Sequence, residues 1–304
     1  MYYIHAIASI THQNTFRVNN IMEELAPLDI ESTLISPNYK EFIPGAALRR
    51  LSPVLRIGLT TSIECKNKVG KDFDAISVGT ALGCLKDTEK FLNTFLTSTS
   101  DFLSPTAFIQ STHNTIGGQI SLGLGNHAYN MTHTQNNVSF EVALLDGMMC
   151  INEGKENVLV GAADENIKFL ELIQPSLISD KYPLSTGGSF FAFSNNKSAI
   201  GVKAVQVNFN SKNTENELNA FLKENNLSKN QIDVILHSNS AISTLENQEN
   251  IDYLQYSGLH YSASSFALHI AHDNLKYSDK KTAIIVNDMC AGKTGFMLLI
   301  KDEA

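Results

Sequence analysis

Arginine is scarce in this 304-residue chain and limited to Arg17, Arg49, Arg50 and Arg56. With a formal net charge of -8 and a pI near 5.6, the sequence lacks the clustered cations that phosphate binding needs, which argues against nucleic acid as a main partner. Cysteine is also sparse. Cys65, Cys84, Cys150 and Cys290 are widely spaced with no CxxC pair, so neither a disulfide framework nor a zinc knuckle is expected, and reduced thiols are. No uninterrupted apolar run approaches the roughly 20 residues that span a bilayer. The N-terminal "MYYIHAIASI" has no basic flank and no cleavage site behind it. It is predicted to be a buried strand, not a signal peptide, and the protein is expected in the cytoplasm.

What is present is an ordinary globular composition, 43% hydrophobic and 18% charged, enough for one large or two medium domains. Short apolar runs read as strands at 2–10, 73–82, 157–164, 189–195, 200–209, 232–238 and 282–288. Between them, "SPVLRIGLTTSIECKN", "TEKFLNTFL", "FEVALLDGMMCINEG", "ENELNAFLKENN" and "SSFALHIAHDNL" have helical spacing. This alternation predicts the α/β class with a largely parallel sheet. The pattern occurs twice, in an N-terminal half at 1–195 and a smaller half at 196–304. The polar "SNNKSAIG" (Ser194 to Gly201) is the expected seam of one compact unit.

One stretch raises a chemical question. "THTQNNVSFEVALLDG" (Thr132 to Gly147) begins as a strand or turn and finishes as a helix, with Gln135, Asn136 and Asn137 at the junction. Such corners often carry a nucleophile, and amides are poor ones. Asn is also a favoured helix cap, so satisfying the helix's first N–H groups is the plain alternative. His113, His127 and His133 have no metal-ligand spacing, and His269 with His272 suits a packed helical face, so no metal or cofactor is expected. Arg49, Arg50 and Arg56 with Lys66 and Lys68 form the main basic concentration, open to an acidic partner or to solvent alone.

Several stretches resemble one family in order. "SPTAFIQSTHNTIGGQISLGLG" (Ser104 to Gly125) followed by the amide corner is similar to the N-terminal half of a β-ketoacyl synthase, of the thiolase-like superfamily. Pairing the family's Asn and Gly with Asn114 and Gly118 puts the active-site Cys position at Asn137. "VILHSNS" is similar to the segment bearing the first active-site His, at His237, and "SGLHYSASSFAL" to that bearing the second, at His260. "VNDMCAGKTGFMLLI" resembles the C-terminal Gly-rich loop and last strand, with Asn287, Gly292 and Thr294 retained. Four positions depart: Asn137 for the Cys, Leu259 for a Gly, Gln255 for a Lys, and Ala291 for the gate Phe.

The resemblance implies two similar α/β halves with mixed sheets sandwiching helices, and a compact relative of the chain length factors in aryl polyene and flexirubin clusters. Without a thiol, Asn137 cannot hold a thioester, so condensation by this chain alone is not expected. Three functions follow: a non-condensing partner of an active ketosynthase, a malonyl-carrier decarboxylase using His237 and His260, and an acyl- or carrier-protein-binding module. The first is preferred, as a heterodimer or homodimer served by acyl carrier protein. The family's interface would then bring Phe108, Ile109 and Met131 toward a partner's tunnel.

Overall fold

The computed structural model describes residues 1–98, 104–177, 181–238 and 248–302. In chain order the first half contains β1 (Tyr2–Ile10), α1 (Gly45–Leu48), α2 (Pro53–Val69), β2 (Ala75–Gly79), α3 (Leu85–Thr97), α4 (Pro105–Gln110) and α5 (Thr115–Leu124). It continues with β3 (Tyr129–His133), α6 (Ser139–Asn152), β4 (Val158–Asp164), α7 (Lys168–Leu177) and β5 (Gly187–Ser194). The second half contains β6 (Ile200–Asn208), α8 (Thr214–Glu224), β7 (Val234–His237) and β8 (Glu249–Asp252). It closes with α9 (Leu254–Ser257), α10 (Ala263–Lys276), β9 (Thr282–Asn287) and β10 (Thr294–Lys301).

Local sequence explains the long elements. Helix α2 has Pro53 in its first turn and stops at Gly70, whose φ of +67° is left-handed and suits glycine. Strands β4 and β5 are buried at every position, as strands covered on both faces must be. Strand β3 alternates exposed and half-buried residues, the pattern of an edge.

The strands form a ten-stranded sheet in the order β3-β2-β4-β5-β1-β6-β10-β9-β7-β8. If β6, β7, β8, β9 and β10 are equated with β1, β2, β3, β4 and β5, the second half repeats the first in mirror order. The halves meet through β1 and β6, paired at Tyr2↔Val202 and Tyr3↔Gly201. The expectation of a largely parallel sheet needs correction: β2 and β7 pair in parallel with both neighbours, but β1, β5, β6 and β10 pair antiparallel. The physical reason at β9–β10 is a short loop, 288–293, too short for a crossover.

Three apolar clusters define the layers. One unites α6 and α10 with residues of both halves of the sheet, including Val160, Phe191, Leu236 and Ile285. A second packs α2 and α5 on the outside of the first half, and a third packs α8 on the outside of the second. All but the last residue of α10 are buried, which makes it, with α6, the central helical layer.

Candidate functional site

The amide corner is built from the end of β3, a single 3-10 turn at Asn136–Val138, and the start of α6. Asn136 takes a φ of +61°, a left-handed conformation that Asn tolerates better than most side chains. The capping alternative fails for Asn137. Ser139 ties the turn by donating to the Asn136 carbonyl at 2.6 Å and accepting from Gln135 N–H at 2.8 Å, while α6 has no side-chain cap. Gly79 lets β2 approach this corner, since a Cβ there would lie 2.6 Å from the Ser139 carbonyl oxygen.

Asn137 is fully buried and turned toward the second half. Its Nδ2 donates to Asn287 Oδ1 at 3.3 Å, and Asn287 Nδ2 donates back to the Asn137 carbonyl at 2.7 Å and to Glu141 Oε1 at 2.8 Å. Glu141, one helical turn after Asn137, is fully buried as well; burial pushes its carboxyl up to about 7 although the Asn287 bond opposes the shift. The 288–293 loop lies against the same corner: Lys293 Nζ donates to the Gln135 carbonyl at 3.4 Å, and Cys290 Sγ stands 3.8 Å from Asn136 Oδ1. Ala291 is exposed on that loop.

His260 occupies a different setting. Its ring is buried, Nδ1 is 2.8 Å from Ser185 Oγ, and Nε2 has no partner. Burial holds this imidazole down at about 3, so it is neutral. It lines a cavity of about 160 Å³ together with Leu82, Asp164, Glu165, Ser185 and Met289 among others; neither Asn137 nor His237 lines it. His237 ends β7, paired with Val286 and Asp252, and its Nδ1 is buried without a partner. Burial lowers its pKa, while Asp252 and Asp288 act in the opposite direction. Asn239 and Ser240 of the same motif lie outside the described residues. The structure thus joins Asn137 to Glu141 and Asn287, and sets His260 in a separate cavity.

Among the described residues no group of His, Cys, Asp and Glu could hold a metal ion. His269 and His272 instead flank the buried Asp273, with His272 Nδ1 2.7 Å from its carboxylate. The basic concentration divides: Arg49, Arg50 and Arg56 line an open cleft with Lys86 and Lys90, whereas Lys66 pairs with Asp72 and Lys68 donates to the Ile7 carbonyl. Phe108, Ile109 and Met131 are 56%, 62% and 43% exposed, and Leu122, Tyr129 and Met149 on α5, β3 and α6 also show large apolar or aromatic surface. Glu141, Ser185 and Asp164 escaped the sequence reading; the one available signal was a lone acid in the apolar "FEVALL".

Two mirrored α/β halves with a pair of central helices and a strand-to-helix corner closed by a C-terminal loop define the thiolase-like, ketosynthase class of fold. The chain belongs to the β-ketoacyl synthase family: the family described as "Beta-ketoacyl synthase, N-terminal domain" matches residues 29–247. Among solved structures it is similar to the ishigamide ketosynthase/chain length factor at 11% identity and a TM-score of 0.79, with 99% of each chain covered. A type II polyketide synthase acyl-carrier protein in complex with its ketosynthase matches at 15% identity, a TM-score of 0.79 and 99% of each chain. A ketosynthase in complex with its chain length factor from Xenorhabdus doucetiae matches at 13% identity, a TM-score of 0.61 and 99% of each chain. No curated protein matches. Among the described residues no helix is long and apolar enough to cross a membrane.

Proposed function

We propose that this chain is a non-condensing ketosynthase-like subunit, a chain length factor, which pairs with an active β-ketoacyl synthase in fatty acid, aryl polyene or polyketide-type biosynthesis in the cytoplasm. The observation that carries the proposal is the buried Asn137 amide at the position read as the nucleophile, tied to Asn287 and leaving no thiol there to load. Cys290, on the loop against this corner, is pushed up by burial, away from the thiolate form.

Two further features support a pairing role. The exposed apolar residues of α4, α5 and α6 and the open edge of β3 offer surface that a lone soluble protein seldom leaves uncovered. The cleft at Arg49, Arg50 and Arg56 suits an acidic carrier protein. Co-expression with a neighbouring ketosynthase should yield a mixed dimer by size exclusion; β-ketoacyl product formed by the purified chain alone would sink the proposal.

The acyl- or carrier-binding module stays as a second function because His260 Nε2 has no partner in its cavity. Decarboxylation of malonyl groups has weaker support, since His237 does not line that cavity. Carbon dioxide release from malonyl-carrier protein, lost in His260→Ala, would revive it.

A further inference from the structure

Between β1 and α1 the chain runs as an irregular strap in which no residue from 22 to 42 is buried. Leu25 and Leu34 give it partial apolar contact, and polar ties supply the rest. Gln13 Nε2 donates to the Ala26 carbonyl at 2.6 Å and to the Tyr256 carbonyl at 3.1 Å. Leu28 N–H donates to the Gln255 carbonyl at 2.7 Å, and Ile35 N–H to the Thr11 carbonyl at 3.0 Å. A segment held this way opens at a lower free energy than the core beneath it.

One of the ties contains a titratable group. His12 Nδ1 is 3.0 Å from the Ser32 carbonyl in the strap, and Nε2 is 3.2 Å from the Thr186 N–H just before β5. A carbonyl only accepts and an amide N–H only donates, so both bonds exist together only when His12 is neutral with its proton on Nδ1. Protonation of Nε2 sets two N–H groups against each other and breaks the Thr186 bond. Burial lowers the His12 pKa, and the Ser32 bond opposes that shift; among the described residues no carboxylate or ammonium contributes to it. Asp29 and Glu31 lie in the turn that contains Ser32, where Asp29 Oδ1 accepts from Ser32 Oγ at 2.9 Å and from Glu31 N–H at 3.0 Å. His260, itself neutral, faces His12 from the loop before α10.

Leu28 and Ile30 of the strap line a cleft of about 560 Å³ with Pro183 and Leu184, and the cleft shares Asn166 and Leu184 with the His260 cavity. We propose that His12 is a pH-sensitive clip, which pins residues 28–35 of the strap over this cleft when neutral and releases them when protonated. On release the strap parts from the 183–186 wall and the cleft opens to solvent. The closed clip holds the lowered pKa and the released imidazole the ordinary one near 6.5. Closure is therefore complete above that value and weakens as pH falls below it, by up to about tenfold per pH unit until the closed-state pKa is reached. The clip needs no partner subunit, so it stands or falls separately from the pairing role.

Two measurements on the purified, nitrogen-15-labelled full chain test the clip. Long-range proton–nitrogen spectra at pH 7.5, with His12 assigned through bonds from its backbone, should show Nδ1 protonated and Nε2 bare; the opposite tautomer overturns the proposal. Hydrogen exchange read by mass spectrometry, corrected for intrinsic rates, should show protection of residues 26–36 falling by up to about tenfold from pH 6.5 to 5.5, with no matching fall in β4. His12→Gln cannot ionise and can still accept from Thr186, so its strap protection should be independent of pH. His12→Ala should be weakly protected at both values. Strap protection that is flat with pH in the parent, or that falls equally in His12→Gln, also overturns the proposal. If neither variant folds, the ring spectrum and the exchange of the parent decide.

Discussion

At the scale of single residues, Glu141 shows how strongly a fold can bias one side chain. Both oxygens are buried; one accepts from Asn287 and the other has no hydrogen-bond partner. Because its folded pKa is raised to about 7, the folded state holds a proton that the unfolded chain gives up near pH 4.5. Stability therefore falls as pH rises between those values and stays low above them. Glu165 is raised to about 7 by burial and acts with the same sign. Glu141→Gln keeps the acceptor for Asn287 and removes the ionisation. Urea unfolding should show the variant more stable than the parent at pH 8, by up to about 3 kcal/mol, and nearly equal to it at pH 5. A constant difference across that range would contradict the assignment.

At the scale of elements, two helices and one strand carry separate consequences. Helix α10 is tied to the N-terminal segment through Asp273, which accepts from Ile21 N–H at 3.1 Å and from His272. Burial pushes this carboxyl up, but bonds from His269 and His272 outweigh it and hold Asp273 well below the usual carboxylate range. A depressed carboxylate stabilises the fold above its ordinary value, and that stabilisation fades as pH falls toward the folded one. Asp273→Asn should cost about 2–3 kcal/mol at pH 7, and the deficit should narrow in acid; a deficit that grows as pH falls would count against it.

Strand β3 forms the sheet's open edge, with Met131 and Tyr129 exposed. Met131→Glu should leave the isolated chain's stability within about 0.5 kcal/mol while preventing the mixed dimer on a sizing column. Helix α3 has no buried residue: Phe91 packs against Phe108 of α4 at 5.7 Å, while Leu92, Phe95 and Leu96 face solvent, so this part of its amphipathic pattern, clear from spacing alone, is uncovered among the described residues.

At the scale of the whole molecule, the halves are mirrored in strand order yet share one apolar cluster around α6 and α10. A fragment of residues 1–195 would expose the face of that cluster that α10 now covers. It is expected to aggregate or to lack cooperative unfolding, whereas the full chain should unfold with coincident fluorescence and circular-dichroism transitions. A soluble, cooperatively folded fragment would show the halves to be independent. Periodicity determined much by itself: β1, β4, β5 and β9 and helices α2, α6, α8 and α10 follow from apolar spacing, because burial on one or two faces imprints a period on the chain. The motifs also marked Asn137, His237 and His260 as the residues to follow. Only the tertiary structure decided what surrounds them. Asn137 and Glu141 both meet Asn287, and His260 meets Ser185 beside Asp164, through contacts between segments more than 70 residues apart. The mixed strand directions were settled at the same level. A period records which face of an element is buried; which polar group waits on the other side of that burial depends on how the two halves close.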